Sequence, residues 1–434
     1  MSAFADNIAS AFADYQATVK DKQSARVTSI QTEALNSVKT MGLPGPRDEQ
    51  WKYTNVTKIN GSSFRPANPR ETPKLNPSDI PTNAFAAHRI VFVDGHYDDD
   101  LSTLGALPPG INATPISRLT AEEDSPVIDA LAQDLEQTNV FALLNTSFLH
   151  DGLLLEIEAD CQTPAIEVVF LDSGNAELSC PRLIVKAASN SKTEIIETHC
   201  SSAPSSGLTS AVTDIQAERG ANVLHYRLQL DDRAHHIGNV NLNAAGDSTI
   251  STYSIALGGE LTRIDINGSL NEPGSHVDMF GLFLAHDEQH IDHHTRINHL
   301  AERTTSNENF KGVADGHGRG VFNGKIYVEQ DAKKIVATQS SKNLLLGNNA
   351  EIDTKPELEI YADDVQCAHG ATVGQLREDE LFYLRSRGID SNTARTMLTI
   401  AFAGDVVEEI ANEALRPFIE ERVASRLSGE LQQS

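Results

Sequence analysis

A mainly β core between two helical ends is the fold class this sequence predicts. Between roughly Gly152 and Gly374, apolar residues alternate with polar ones in short runs, the two-residue period of a strand. Outside that span they return every three or four positions, the period of a helix. Gly, Asn and Asp interrupt the middle region at short intervals, as the turns between strands require. The chain accordingly divides into a helical and irregular region at 1–150, a β core at 151–375 and a helical region at 376–434.

The first region opens with Phe4, Ile8, Phe12, Tyr15 and Val19 on one helical face, and Val27, Ile30, Ala34, Leu35 and Val38 on a second. From Pro44 to Pro81 prolines cluster with Gly and Asn, so this stretch is expected to be irregular and to wrap a surface. Helix is expected again over Leu119–Leu135. In the core, Leu224, Tyr226, Leu228 and Leu230 alternate with polar partners, as do Tyr253, Ile255 and Leu257, and Phe322, Ile326 and Val328 around Gly324. No exact repeat is visible, so the pattern fits a sandwich, a barrel or a parallel β-solenoid. In the last region Gly388 is expected to end a short helix and Ser391 or Asn392 to cap the next. Ala394, Met397, Leu398, Ala401 and Phe402 line one face, with Val406, Ile410, Ile419, Val423 and Leu427 beyond. These helices either pack over the end of the β core, protecting its last open edge, or present a face to a partner.

The chain has 434 residues and carries 35 basic against 61 acidic side chains, a net charge of −26. That balance argues against nucleic acid or an anionic membrane as the main partner. Four scattered cysteines, Cys161, Cys180, Cys200 and Cys367, form no disulfide framework and fit a reducing compartment. The start, Met1-Ser-Ala-Phe-Ala-Asp, has no basic segment or long apolar run, and no apolar stretch approaches the roughly 20 residues that span a bilayer. A cytoplasmic location is expected. There is no Gly-x-x-x-x-Gly-Lys-Ser/Thr loop, so no nucleotide is expected on this chain, and no Gly-x-Ser-x-Gly elbow. Gly316-His-Gly-Arg-Gly320 is expected to be a turn, and Asp363-Asp364 a corner between strands.

Two segments carry metal-binding chemistry. Cys367 and His369 are two residues apart on a strand-like run, so they share a face. A thiolate and an imidazole suit iron or zinc better than magnesium or calcium. Alone, such a pair is more often a small buried thiol beside an unrelated histidine. The second segment gathers His286, His290, His293, His294 and His299 with Asp287 and Asp292. On a strand, His290, Asp292 and His294 would lie on one face and His293 and His299 on the other, which splits the set.

The run from Leu358 to Gly388, with Cys367-Ala-His-Gly-Ala-Thr-Val-Gly374 and Phe382-Tyr-Leu-Arg-Ser-Arg-Gly388, resembles the C-terminal signature of the SufB/SufD family of iron–sulfur cluster assembly scaffolds, in its SufD form. Ala368 stands where Ser is expected. Further matches are Arg47-Asp-Glu-Gln-Trp-Lys-Tyr-Thr54, Phe141-Ala-Leu-Leu-Asn145 with Asp151-Gly152, Asp292-His-His-Thr-Arg-Ile-Asn-His299, Thr305-Ser-Asn307, Phe310-Lys-Gly312, Val321-Phe-Asn-Gly324, Ala337-Thr-Gln339 and Asn343-Leu-Leu-Leu346. The sister SufB type is longer, with more cysteines and a core tryptophan, whereas this chain has a single tryptophan, Trp51, and four cysteines.

The resemblance implies a right-handed parallel β-helix core and a non-catalytic scaffold role. It implies a SufB-like paralogue and a SufC-like ABC ATPase as partners, the latter docking on Leu381, Phe382, Tyr383, Arg385, Arg387, Gly388 and the helix after them. It further implies that Cys367 and His369 face the partner subunit and help hold iron or a nascent cluster. Two protein ligands cannot complete a cluster's usual set, so the partner must supply the rest. Whether the isolated chain forms a homodimer stays open. Three rival readings also stand: a stand-alone metal-binding β protein using the His286–His299 segment, a purely structural adaptor for the ATPase, and, more distantly, an enzyme acting on carbohydrate through paired carboxylates.

Overall fold

The computed structural model describes residues 3–19, 22–59, 64–68, 72–82, 84–105, 107–136, 139–174, 177–204, 206–231 and 234–428; Met1 and Ser2 of the leader reading lie outside them. It is mainly β, a solenoid of about eight turns with helices at both ends of the chain. Successive strands are dealt alternately to two facing sheets. One sheet runs, in spatial order, through His96–Thr103, His88–Val93, Ile166–Asp172, Lys192–Ser201, Asn222–Gln229, Thr249–Ala256, His276–Ala285, Thr305–Ala314, Ile335–Leu345 and Val365–Gln375. The other runs from Glu351–Ile360 back through Arg319–Val328, His290–His299, Leu261–Leu270, His235–Ala244, Leu208–Ala217, Arg182–Ala187 and Gly152–Ile157 to Ile111–Pro115. Pairing is parallel and in register throughout the stack, with antiparallel pairs only where His96–Thr103 and Ile111–Pro115 join it. The sheets therefore begin before residue 150, within the region read from the sequence as helical and irregular.

Side chains that face between the sheets form the core. Ile90, Leu155, Val168, Val185, Ile215, Val223, Val240, Ile264, Phe283, Ile297, Phe310 and Phe322 belong to one continuous apolar cluster. The alternation at Leu224–Leu230 resolves differently from a half-buried strand. Tyr226 and Leu228 point outward, and His225, Arg227 and Gln229 point into the solenoid. Both sets are buried, because helices from the far end of the chain cover the outer face.

Among the described residues the α-helices are α1 (Ala3–Val19), α2 (Ala25–Met41), α3 (Ile128–Leu135), α4 (Val140–Phe148), α5 (Glu378–Ser386), α6 (Ser391–Val407) and α7 (Leu415–Ser428). The segment before α3 holds a short 3-10 turn at Ile116–Arg118, so helix occupies only the second half of the expected Leu119–Leu135 span. Phe4, Ile8, Phe12 and Tyr15 of α1 pack with Trp51, Phe141 and Phe148 on the outer face of the second sheet, against Leu208, Ile237 and Leu261. Arg182, wholly buried, ties this layer to the stack through Asp134 of α3 and Asp214 of the neighbouring strand, each at 2.7 Å.

The C-terminal helices do not cap the solenoid's end. Ala403, Val406, Val407, Ile410, Ile419 and Val423 lie along the outer face of the first sheet, on Tyr226, Leu228, Tyr253, Ile255, Phe280 and Leu282. Phe418 meets Phe85 at 4.9 Å, and Arg422 donates to the Pro81 carbonyl at 2.8 Å, far from the last rung. The outer aromatic row of that sheet gives these helices an apolar surface to bury. The cap of α6 is Asp390, whose carboxylate accepts from the Asn392 and Thr393 amides, and not Ser391 or Asn392. Gly388 sits at φ +88, the left-handed conformation expected after a helix end.

Candidate functional site

The last rung leaves two strands with a free edge, and they are not alike. Glu351–Ile360 carries Pro356, which lacks an amide hydrogen, and five charged side chains, Glu351, Asp353, Lys355, Glu357 and Glu359. Those are the devices that keep a sheet edge from pairing. Lys355 is held between Glu49 and Glu357, at 3.0 Å from each. The other edge, Val365–Gln375, has neither proline nor any Asp, Glu, Lys or Arg. Eleven residues of unguarded backbone are thus exposed beside Val373, Ile360 and Tyr361, apolar side chains at the surface.

Cys367 and His369 lie on that open strand. Cys367 is half-buried, in register with Ala337, and packs on the end of the core against the cluster of Ile326, Val328, Ile335 and Ala337. Burial raises its pKa above that of an ordinary thiol, which keeps the proton until a metal or cationic partner displaces it. His369, exposed and two residues on, shares its face and is in register with Gln339. The pair therefore stands at the mouth of the solenoid, on the side of the strand that looks between the sheets. Among the described residues no group of three His, Cys, Asp or Glu side chains is placed to hold a metal ion.

The histidine segment is split, as its strand periodicity implied. On the outer face, the Thr54 hydroxyl donates to Asp292 at 2.5 Å and lies 2.8 Å from His290, while His294 meets the other Asp292 oxygen at 3.1 Å. Burial works against the charge of Asp292, yet His294 and Arg263 hold it well below the usual carboxylate range. Arg263 also lies 3.8 Å over the Trp51 ring and donates to the Gln50 carbonyl at 2.6 Å. The Trp51–Thr54 motif is thus an aromatic and hydroxyl clamp onto the second sheet. On the inner face His293 lies 2.9 Å from the Ser254 hydroxyl, and His299 lies 2.7 Å from Thr304 and 3.0 Å from Ser306. His286 stands apart at a turn, beside Asp287. Every imidazole of the segment has a protein partner.

Interior polar residues were not singled out in the sequence. Glu197 contacts His199 at 2.5 Å, His225 at 3.0 Å and Arg227 at 3.3 Å, all wholly buried. Nearer the mouth, Glu308 is fully enclosed and burial pushes its pKa up to about 7. Gln339 donates to it at 3.0 Å. Strand alternation alone would have placed these on solvent.

Beyond the open strand, Phe382, Tyr383 and Arg385 of α5 and Arg387 and Gly388 just after it are exposed, whereas Leu381 is buried and Leu384 half-buried. Phe382 is 74% exposed, and Met397 of α6 is also at the surface.

A family model described as the SUF system FeS cluster assembly SufBD core domain matches residues 169–402, and one for the SufBD N-terminal region matches residues 3–165. The chain belongs to the SufBD family. It is 30% identical to the iron–sulfur cluster assembly protein SufD of Escherichia coli over 402 residues, 91% of this chain and 92% of that protein. A SufBD family protein of Synechocystis is 29% identical over 95% of this chain and 93% of its own length. The chloroplastic protein ABCI7 of Arabidopsis thaliana is 25% identical over 89% and 83%. As a SufBD protein the chain takes part in iron–sulfur cluster assembly. Among the described residues no helix is long and apolar enough to cross a membrane.

Proposed function

We propose that this SufBD chain is a non-catalytic scaffold subunit that pairs through Val365–Gln375 with a SufB-like paralogue, docks a SufC-like ABC ATPase on α5 and α6, and holds iron or a nascent cluster between Cys367 and His369 and ligands of the paralogue. The observation that carries this reading is the position of the two side chains on an open strand edge that, unlike Glu351–Ile360 beside it, has neither a proline nor a charged residue to guard against pairing. A strand added there would bring its own side chains beside the thiol and imidazole, the arrangement a two-ligand half-site needs. The exposed Phe382 and Tyr383 give the ATPase an aromatic anchor at the neck of the same end. Nucleotide-driven movement of α5 would then act within a few residues of the site. The cytoplasm, where thiols stay reduced, suits such a half-site.

The test is to recover the tagged chain with its stoichiometric partners from native extract and identify them by mass. An ABC-type ATPase together with a larger paralogue is the expected result. Cys367→Ala and His369→Ala should leave that complex assembled but lower the iron and labile sulfide it carries. Recovery of the chain alone sinks the scaffold reading. Unchanged iron and sulfide in both variants would leave a structural adaptor in its place.

A further inference from the structure

The far end of the solenoid carries an ordered aromatic stack that takes no part in the core. Arg296, Tyr327 and Tyr361 come from three successive rungs of the second sheet: from His290–His299, from Arg319–Val328 and from the residue that follows Glu351–Ile360. The Arg296 guanidinium lies 5.6 Å from the centre of the Tyr327 ring, and the Tyr361 ring meets Tyr327 at 5.7 Å. Each member is held in place. Arg296 Nε donates to Asn298 Oδ1 at 2.8 Å, and the Tyr327 hydroxyl donates to Glu329 at 3.0 Å. The Tyr361 amide donates to the Val328 carbonyl at 3.1 Å. The order along the stack is thus arginine, tyrosine, tyrosine and then open surface. The side of Tyr361 turned away from Tyr327 looks off the last rung, and the residue is 61% exposed.

A surface ring already fixed in this way costs little to immobilise when a partner covers it. Its surroundings favour one chemistry. Glu329 is the neighbour of Tyr361 one rung inward, and Asp363 and Asp364 follow it in the chain. None of these three carboxylates has an ion pair among the described residues, and Lys325 on the neighbouring strand is committed to Glu359 at 2.5 Å. An exposed π face beside unpaired carboxylates is a seat for a cation. A guanidinium suits both parts, stacking on the ring while its N–H groups reach the acids. Arg296 on Tyr327 shows the same pairing one rung inward. A second copy of this chain, at a net charge of −26, is a poor complement to such a corner.

Position supplies the rest. The open strand starts at Val365, just after this corner, and its eleven residues carry the chain roughly 33 Å away before α5 begins. We propose that Tyr361, braced by Tyr327 and Arg296, is the docking site for an arginine of the subunit that adds its strand to Val365–Gln375, with Glu329, Asp363 and Asp364 supplying the opposing charge. The proposal rests on the strand-addition reading and adds a contact outside the strands themselves. Its effect is to set register. Ala368, Gly370, Ala371 and Gly374 give the open strand little side-chain relief, and such strands slip easily along a partner. An arginine locked at Tyr361 fixes which of the partner's residues stand opposite Cys367 and His369.

The tagged full chain with benzoylphenylalanine in place of Tyr361, irradiated in the complex recovered from native extract, should crosslink to the larger paralogue at a peptide that contains arginine. Tyr361→Leu should lower recovery of the paralogue at least about tenfold, with the ATPase retained and the melting temperature unchanged. Tyr361→Phe should keep it, since the π face remains. Asp363→Asn with Asp364→Asn should flatten the salt dependence of that recovery. A crosslink to the ATPase alone overturns the proposal. So does Tyr361→Leu that binds the paralogue as the wild type does, while Ala368→Lys with Thr372→Lys releases it. If that strand variant also leaves the paralogue bound, the strand-addition reading falls and the arginine seat falls with it.

Discussion

A single carboxyl illustrates how burial is spent in this protein. Glu308 has its folded-state pKa raised from 4.5 to about 7 by desolvation, so the folded chain holds a proton there that the unfolded chain has released. Its contribution is favourable at low pH and is lost as pH rises from about 4.5 through about 7, up to roughly 3 kcal/mol. Glu308→Gln should therefore stabilise the protein at pH 8, with the gain shrinking toward zero near pH 5 in parallel urea melts. Arg182 shows the opposite situation. Removing its charge strands Asp134 and Asp214 together in the interior, and Arg182→Met should cost about 3–5 kcal/mol at pH 7 by the same assay. At this scale the candidate residues Cys367 and His369 stand out in the sequence by their spacing and flanking motif. Gln339 and Glu308 do not, because a polar residue in an alternating strand reads as solvent-facing until the outer face is known to be covered.

Secondary elements were legible wherever the burial pattern was one-sided, and ambiguous where both faces are buried. Leu224–Leu230 showed the right period with the wrong side inward, since α6 and α7 supply an apolar cover that lies some 180 residues away in the chain. Of the two placements expected for the C-terminal helices, packing over the end of the core is not the one found: α6 and α7 cover the outer face of the first sheet. Edge chemistry makes a prediction at this scale. Ala368→Lys with Thr372→Lys would give Val365–Gln375 the charged guard that Glu351–Ile360 already has. Recovery of the paralogue should fall at least about tenfold, with melting temperature unchanged, because neither residue is buried. Phe382→Asp, on α5, should abolish recovery of the ATPase and spare the paralogue, again without a change in melting, since the ring is 74% exposed.

For the whole molecule, the solenoid escaped notice as a repeat because its period drifts. Tyr226, Tyr253 and Phe280 stack at intervals of 27 residues, but Phe280 pairs with Asn309 and Asn309 with Ser340. Turn lengths vary while the strands keep register, so the structure repeats where the sequence does not. Interior histidines give the molecule an acid limit. Burial lowers the pKa of His199 and of His299 to about 4 and of His293 to about 3. Unfolded chains bind those protons from about pH 6.5 downward, so stability should fall as pH drops from 6.5 toward 4. Circular dichroism melts across that range should show it, with replacement of His299 by Asn reducing the slope.

The arrangement of α7 bears on how the protein is made. During synthesis the strands bearing Tyr226, Tyr253 and Phe280 leave the ribosome long before Ile419 and Val423, the residues that cover them, and Phe85 waits longest of all for Phe418. Each nascent copy therefore carries an uncovered aromatic strip from the synthesis of Tyr226 until α7 is made, a surface that attracts chaperones or neighbouring chains. A ribosome stalled anywhere before residue 415 would release a product whose rungs can stack but whose flank is sticky. Cells that make this protein rapidly are thus committed to shielding that flank, and slow decoding of the codons for α7 would lengthen the time for which it stays bare.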